Sequence, residues 1–374
     1  MDDDPNICGL FKALLERRGH TVLIAGNGQA GLDVAQRESP EIVLLDLNMP
    51  GMGGMEALDR FSKQFPDTPV IIASGTGNMT DAIEALRLGA CDFLIKPLPQ
   101  GSTLTHTVER NLERIRLVRL NKAVSQELEL NHAKIREDEE AGRRVQAKLF
   151  PPRDLRLGAY RFQHQVIPSL ALSGDFVDYF AIGDRFAAFY CADVSGHGVS
   201  SALVTVLLKS LMNKHRERQR DGLTHEILEP DQLLTMLNRE LMQENLGKHL
   251  TLFYGVLDFE SNSLRFAVGG HYPPPILFAD GQTRLLEQKS MAIGLFPFAK
   301  FQTDSLPLPP AFRLVIFSDG ALDALALPDA DAKIQYLCEL RTEAALHRFV
   351  AEIGVGKTLP DDLSLLTITR GDIA

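Results

Sequence analysis

The chain is 374 residues long, 45% hydrophobic and 24% charged, with a formal net charge of −10. That length allows two or three domains. The acidic balance argues against a nucleic-acid partner, because phosphate contacts need clustered Lys and Arg, and there is no run of about 18 apolar residues to span a bilayer. The cysteines Cys8, Cys91, Cys191 and Cys338 are dispersed without a CxxC pair, and no signal peptide is visible. The expectation is a soluble cytoplasmic protein with reduced thiols and no membrane partner.

Along residues 1–100, apolar strand-like runs alternate with helical stretches. Thr21–Ala25 is the first such run. Ile42-Val43-Leu44-Leu45 ends in Asp46, Val70-Ile71-Ile72-Ala73 ends in Ser74, and Phe93-Leu94-Ile95 ends in Lys96. Unbroken apolar runs with a polar carboxyl end read as buried parallel strands, so the class is α/β with a parallel sheet. In such sheets the site lies at the carboxyl ends of the strands, where Asp46, Ser74 and Lys96 would converge.

These residues resemble a two-component receiver domain, a flavodoxin-like parallel sheet. Asp2 and Asp3 match its acidic pair, Asp46 its phospho-acceptor, Ser74 its switch hydroxyl, Phe93 its switch aromatic and Lys96-Pro97 its final signature. The resemblance implies Mg²⁺ held by Asp2, Asp3, Asp46 and the Asn48 carbonyl. It also implies an aspartyl phosphate on Asp46, donated by a sensor histidine kinase or a small phosphodonor, with Ser74 and Lys96 on the phosphate oxygens. The family's central first strand normally precedes the acidic pair, yet the chain starts Met1-Asp2-Asp3. The expectation is a gap in the sheet, filled by an upstream segment if an internal GTG codon has been read as the start.

Residues 101–149 are poor in Gly and Pro and rich in charge. Apolar residues from Leu104 through Leu149 recur at steps near three, four and seven, as in a long helix. The pattern predicts a helical linker and a parallel coiled-coil homodimer, with Asn121, Asn131 and Asp138 interrupting the seam.

Residues 150–374 carry strand-like runs at Phe186–Cys191, Thr251–Phe259, Ser263–Val268, Pro275–Phe278, Phe312–Phe317 and Leu363–Thr369. Helical runs fall near 199–219, 230–246 and 339–353, and Phe296–Pro310 reads as loop. This mixture predicts an α/β sandwich. Asp193-Val194-Ser195-Gly196-His197-Gly198 places a carboxylate at a strand end, beside glycines that admit close backbone approach. Asp175, Asp319 and Asp361 stand at similar strand ends, and hard divalent cations prefer such oxygen donors.

From Gln146-Ala147-Lys148-Leu149-Phe150-Pro151 onward the chain resembles the PP2C-like serine phosphatases of the SpoIIE type. Ser173-Gly174-Asp175, Asp193–Gly198, Gly270-His271-Tyr272-Pro273, Ser318-Asp319-Gly320 and Asp361-Asp362 follow the family's motifs in order. The resemblance implies two Mn²⁺ or Mg²⁺ ions held by Asp175, Asp193, the Val194 carbonyl, Asp319 and Asp361, with Asp193 and Asp319 central to catalysis. Asp362 competes with Asp361 as a ligand. His197 and His271 read as loop histidines bonded to backbone, and Asp178 as structural. The whole chain then reads as a response regulator in which phosphorylated Asp46 controls a protein serine/threonine phosphatase. Its partner would be a phosphoserine or phosphothreonine protein, such as a STAS-type anti-sigma-factor antagonist. The rival reading is a non-catalytic adaptor of the RssB type that binds a stress sigma factor for proteolysis.

Overall fold

The computed structural model describes residues 1–75, 78–98, 101–354 and 359–371. The chain divides into two compact units, Met1–His132 and Ala133–Ala374.

In the first unit, helices α1 (Pro5–Glu16), α2 (Gly28–Glu38), α3 (Gly54–Gln64) and α4 (Met79–Arg87) alternate with strands β1 (Val43–Leu45), β2 (Val70–Ser74) and β3 (Asp92–Ile95). Asp4 and Asn27 cap α1 and α2 by accepting the Asn6 and Ala30 amides. The strands form one parallel sheet in the order β1-β2-β3. Leu45 and Ile72 face the helices that carry Leu32, Leu58 and Phe61, while Ile71, Ala73 and Leu94 pack with Leu15, Leu104 and Val108. Burial on both faces is why these strands read as unbroken apolar runs.

Thr21–Ala25 departs from expectation, since it joins no ladder. Met1 and Asp2 lie between it and β1: the Met1 ammonium donates to the Leu44 carbonyl (2.7 Å), the Asp46 amide donates to Met1 O (3.0 Å), and the Asp2 amide donates to Ala25 O (3.2 Å). Beyond them a cavity of about 530 Å³ opens, lined by Leu15, Val22, Ile24, Val43, Leu44 and Val108. Leu23 and Ile24 are consequently exposed.

Helix α5 (Gly101–Ala147) is continuous over its whole length. Its first turns belong to the first unit: Leu104 and Val108 are buried there, and Arg110 and Asn111 hold Asp92 at 2.5 and 2.9 Å. Leu117, Leu120, Val124, Leu128 and Ile135 are exposed.

The second unit is a sandwich. Its strands are β4 (Asp154–Leu157), β5 (Tyr160–Ile167), β6 (Asp175–Ile182), β7 (Phe186–Val194), β8 (Leu250–Asp258), β9 (Ser263–Gly269), β10 (Ile276–Ala279), β11 (Gln282–Leu285), β12 (Asp304–Pro307), β13 (Phe312–Phe317) and β14 (Leu363–Arg370). Its helices are α6 (Val199–Arg220), α7 (Pro230–Gln243), α8 (Gly320–Asp323), α9 (Ala330–Glu339) and α10 (Glu343–Gly354). One antiparallel sheet runs β11-β10-β13-β14-β5-β4 and the other β12-β9-β8-β7-β6. Phe162, Leu314, Ile316 and Leu366 of the first sheet meet Val177, Phe189, Cys191 and Phe253 of the second. The alternate residues face outward under helices. Phe176, Tyr190 and Tyr254 lie beneath Leu208 and Met212 of α6 and Leu234 of α7, and Val315 and Phe317 lie beneath Leu337 of α9 and Phe349 of α10. Each such aromatic or aliphatic side chain contributes about 1.5–3 kcal/mol by leaving water.

Two further expectations need correction. Phe296–Pro310 is not all loop, because β12 pairs antiparallel with β9 at the sheet edge, where Pro307 removes no needed donor. The helical stretch near 339–353 starts later, as α10 (Glu343–Gly354), and a separate helix that was not expected, α9 (Ala330–Glu339), precedes it, with Asp329 capping it by accepting the Ala332 amide.

Candidate functional sites

The first site is built at the carboxyl ends of β1, β2 and β3. Asp46 follows β1 and is almost fully buried, as is Asp2, whereas Asp3 is exposed. One ligand atom from each of these acids lies within 4.8 Å of the others, a spacing that suits a hard divalent cation. Lys96 leaves β3 to place its Nζ 2.8 Å from Asp46 Oδ1 and against the Asp2 carboxylate. Burial pulls the Lys96 pKa down, but its bonds to Asp2 and Asp46 outweigh that and hold it above the ordinary value. Asn48 donates its amide to Asp46 Oδ2 (3.0 Å), which fixes the loop after the acid. Ser74 ends β2 fully buried, and the half-buried Phe93 packs on the core from β3. Gly54 is required at the start of α3, since a Cβ there would come within 2.2 Å of the Asp46 carbonyl.

The second site takes acids from both sheets of the sandwich. Asp175 opens β6 directly opposite Asp193 of β7. Asp319 follows β13 and Asp361 precedes β14, two neighbouring strands of the other sheet. A Cβ on Gly320 would fall 1.9 Å from the Asp362 carbonyl, so only glycine lets the turn bearing Asp319 lie against Asp361-Asp362. Electrostatics tie the acids together. Burial first, then Asp319, Asp361 and Asp362, push the Asp193 carboxyl up to about 7. Burial and then Asp193 raise Asp175, and burial and then Asp361 raise Asp319.

Asp175 is fully buried, and neither of its oxygens has a hydrogen-bond partner. The Ser318 and Ser364 hydroxyls stand close enough to favour its ionised form slightly, outside hydrogen-bond geometry. A buried carboxylate in that condition is costly as a bare anion. The donor set therefore fits divalent cations. Among the described residues, only the Asp2, Asp3 and Asp46 trio gathers three such atoms within 4.8 Å, and the sandwich acids face one another across a wider space. Asp362 is already engaged, accepting from the Ser169 amide (2.6 Å) and hydroxyl (2.8 Å) and from the Gly174 amide (2.6 Å). Among the described residues Asp361 accepts only the Asp362 amide (2.8 Å), which leaves it the freer acid there.

The Val194 amide donates to Gly174 O (3.2 Å), and the Val194 carbonyl lies 3.1 Å from where a Gly174 Cβ would sit. That carbonyl thus faces the start of β6, next to Asp175. Ser173 accepts the Asp175 amide on its hydroxyl (3.0 Å) and so closes the turn itself. Asp178 pairs with Lys209 of α6 at 2.5 Å. His197 is exposed. His271 is buried against Phe253, with the Phe317 backbone close enough to favour its protonated form though outside hydrogen-bond geometry; burial outweighs that and pushes its pKa down to about 4.

Two residues escaped the sequence reading. Gln146, near the end of α5, donates to Ser173 O (2.7 Å) and Thr205 Oγ1 (3.3 Å) and accepts the Ser173 amide (3.1 Å), pinning the entry to β6. Its place in the opening motif was the only signal. Lys248 reaches the Ser195 carbonyl at 2.8 Å, and no motif pointed to it.

Comparison with known proteins agrees with this layout. The response regulator receiver domain family matches residues 1–109, and the family described as stage II sporulation protein E (SpoIIE) matches residues 183–371. The protein named "Regulator of RpoS" from Escherichia coli (strain K12) is 26% identical over 272 residues, covering 72% of this chain and 80% of its own length. "Protein IcfG" of Synechocystis sp. is 27% identical over 205 residues, 50% of this chain and 32% of its own length. The SiaA-PP2C domain of Pseudomonas aeruginosa shares the fold, with a TM-score of 0.53 at 21% identity, covering 65% of this chain and 99% of that one. The chain belongs to the SpoIIE family, with a receiver domain ahead of a PP2C-type sandwich.

Proposed function

We propose that this chain is a response regulator whose output is a metal-dependent protein serine/threonine phosphatase. The observation that carries the reading is the set Asp175, Asp193, Asp319 and Asp361: burial and the neighbouring acids raise the pKa of Asp175, Asp193 and Asp319, and Asp175 is fully buried with no hydrogen-bond partner for either oxygen. In this reading Asp2, Asp3, Asp46 and the Asn48 carbonyl hold Mg²⁺. Asp175, Asp193, the Val194 carbonyl, Asp319 and Asp361 hold two Mn²⁺ or Mg²⁺ ions. Bound divalent ions supply acidified water and neutralisation of phosphoryl oxygens.

In the receiver, an Asp46 carboxylate oxygen attacks the phosphorus of a sensor kinase's phosphohistidine or of a small phosphodonor, and the donor's bond to phosphorus breaks. The Lys96 ammonium, freed from Asp46 by the new bond, pairs with a phosphoryl oxygen, and Ser74 hydrogen-bonds another. Phe93 follows Ser74 as the switch aromatic. In the sandwich, the acids would hold the cations that neutralise the phosphoryl oxygens; water would add to phosphorus in line as the bond to the serine or threonine oxygen breaks, giving phosphate and the free hydroxyl, so no protein nucleophile is needed. The substrate class is a phosphoserine or phosphothreonine protein, with a STAS-type anti-sigma-factor antagonist the natural candidate. The exposed stripe Leu117, Leu120, Val124, Leu128 and Ile135 of α5 supports a coiled-coil homodimer. A solution mass near twice 41.3 kDa by light scattering is expected, and a monomer at high concentration would count against it.

One test decides the enzyme reading. Purified protein should hydrolyse a phosphoserine protein with Mn²⁺, and Asp193→Ala should lower the rate at least about 10³-fold. Equal inactivity of both proteins across divalent metals would sink it. A second reading, a phosphorylation-controlled adaptor for a stress sigma factor, is favoured by the relative named "Regulator of RpoS". Capture of a sigma factor dependent on Asp46 phosphorylation, by a chain without hydrolytic activity, would establish it.

A further inference from the structure

Lys248 stands just ahead of β8, half-buried, and turns its ammonium inward onto neutral groups. It donates to the Ser195 carbonyl (2.8 Å) and to Ser201 Oγ (3.3 Å), and among the described residues it enters no ion pair. A lysine at the mouth of an acidic site would be expected to pair with a carboxylate or stay in water. Here it is spent on one turn.

That turn is clamped from two sides. The Ser195 amide donates to His249 O (2.9 Å), and the His249 amide donates to Ser195 Oγ (3.2 Å). A trans peptide holds its C=O and N–H on opposite sides. With the Ser195 N–H aimed at His249, the Val194 carbonyl of the same peptide must face the other way, toward Gly174 and Asp175. The Val194 oxygen does lie there, 3.1 Å from the position of a Gly174 Cβ. The next carbonyl, that of Ser195, is the one Lys248 holds. Gly196 completes the arrangement: its φ is +78°, and a Cβ on it would sit 2.9 Å from Lys248 Nζ. The glycine and the lysine therefore fit as a pair.

We infer that Lys248 is a positioning residue: by holding the Ser195 carbonyl it keeps the Val194 carbonyl aimed at the acid cluster and so sets the affinity of that cluster for a divalent cation. This rests on the proposed cation site and goes beyond it, assigning a role to a residue that touches neither cation nor substrate.

The test uses the full chain stripped of metal, with Mn²⁺ as the probe. Three quantities are measured: Mn²⁺ affinity by calorimetry, amide exchange in the segment 193–200 without metal, and the melting temperature. Lys248→Met should speed exchange in that segment and weaken Mn²⁺ binding about ten-fold, in the range of residues that orient a metal ligand from behind. Lys248→Arg, which keeps the charge and donors, should restore most of the affinity. Unchanged Mn²⁺ affinity in Lys248→Met overturns the inference, and so does faster exchange without a loss of affinity. If Lys248→Met does not fold, Gly196→Ala displaces the ammonium instead, and wild-type affinity in that variant overturns it equally. A wild-type chain that hydrolyses no phosphoserine protein but binds Mn²⁺ in a Lys248-dependent way would sink the phosphatase reading and support this one.

Discussion

The two acidic centres solve the same electrostatic problem differently. In the receiver, Asp2 and Asp46 are nearly buried, yet Lys96 lies between them and answers their charge from within the chain. In the sandwich, Asp175, Asp193, Asp319 and Asp361 crowd together, and among the described residues none of them pairs with a lysine or arginine: Lys248 is turned onto a carbonyl. Without metal, burial first and then repulsion from Asp319, Asp361 and Asp362 favour the protonated form of Asp193, which moves up to about 7. The receiver thus carries an internal counter-charge for its buried acids, whereas the described residues give the sandwich acids none.

The largest effect that would break this comparison lies in pH. The folded pKa of Asp193 is raised above its unfolded value of 3.8, so the folded state binds more protons between those limits. The metal-free fold should therefore lose stability as pH rises from about 4 to about 7, by up to about 4 kcal/mol from this group. The difference between wild type and Asp193→Asn in chemical denaturation isolates that share. Saturating Mn²⁺ should abolish the difference in slope, because a bound cation favours the ionised acid. A metal-free protein whose stability relative to Asp193→Asn is flat from pH 4 to 8 would refute the account of the sandwich.

A smaller effect comes from making the receiver resemble the sandwich. Lys96→Met removes the internal cation and leaves Asp2 and Asp46 facing each other. The folded Lys96 pKa is raised, so its stabilisation is fully present at neutral pH and fades only in strong alkali. The variant should be less stable by about 1–3 kcal/mol at pH 7 in chelator. Mg²⁺ should recover more stability in the variant than in wild type, since the cation then replaces the ammonium. Equal Mg²⁺ stabilisation of both proteins would show that Lys96 does not carry the balance.

What the sequence disclosed follows from where its signals are local. Strands β1, β2, β7, β8 and β13 are buried on both faces and read as apolar runs. Strands β4 and β11 alternate at sheet edges, β5 alternates between β14 and β4, and all three went unassigned, while β12 hid in a Pro- and Phe-rich stretch. Thr21–Ala25 reads as a strand by composition but pairs with no described strand. The acids were legible because each sits in a short motif beside glycine or another acid. The residues that hold those motifs in place were not, because their contacts are long-range: Gln146 meets Ser173 27 positions away, and Lys248 meets Ser195 53 positions away.

Gln146 offers the last and finest test. Its amide makes both backbone bonds of Ser173, two residues before Asp175, and also reaches Thr205 of α6. It is buried, so nothing in solvent can replace those bonds. Gln146→Leu keeps the volume and removes the donors and acceptor, leaving the Ser173 amide and carbonyl unsatisfied. The Asp175 turn would then wander by fractions of an ångström while the acids stay in place. The expected result is a loss of about ten-fold in hydrolysis rate at saturating Mn²⁺, worth about 1.4 kcal/mol, with the pH dependence of metal-free stability unchanged. Gln146→Glu keeps the acceptor for the Ser173 amide but loses the donor, so it should fall between wild type and the leucine variant. If Gln146→Leu instead abolished the pH dependence as well, the charge crowding would depend on the helix end, and the sandwich could not be treated as an electrostatic unit formed by its own strands.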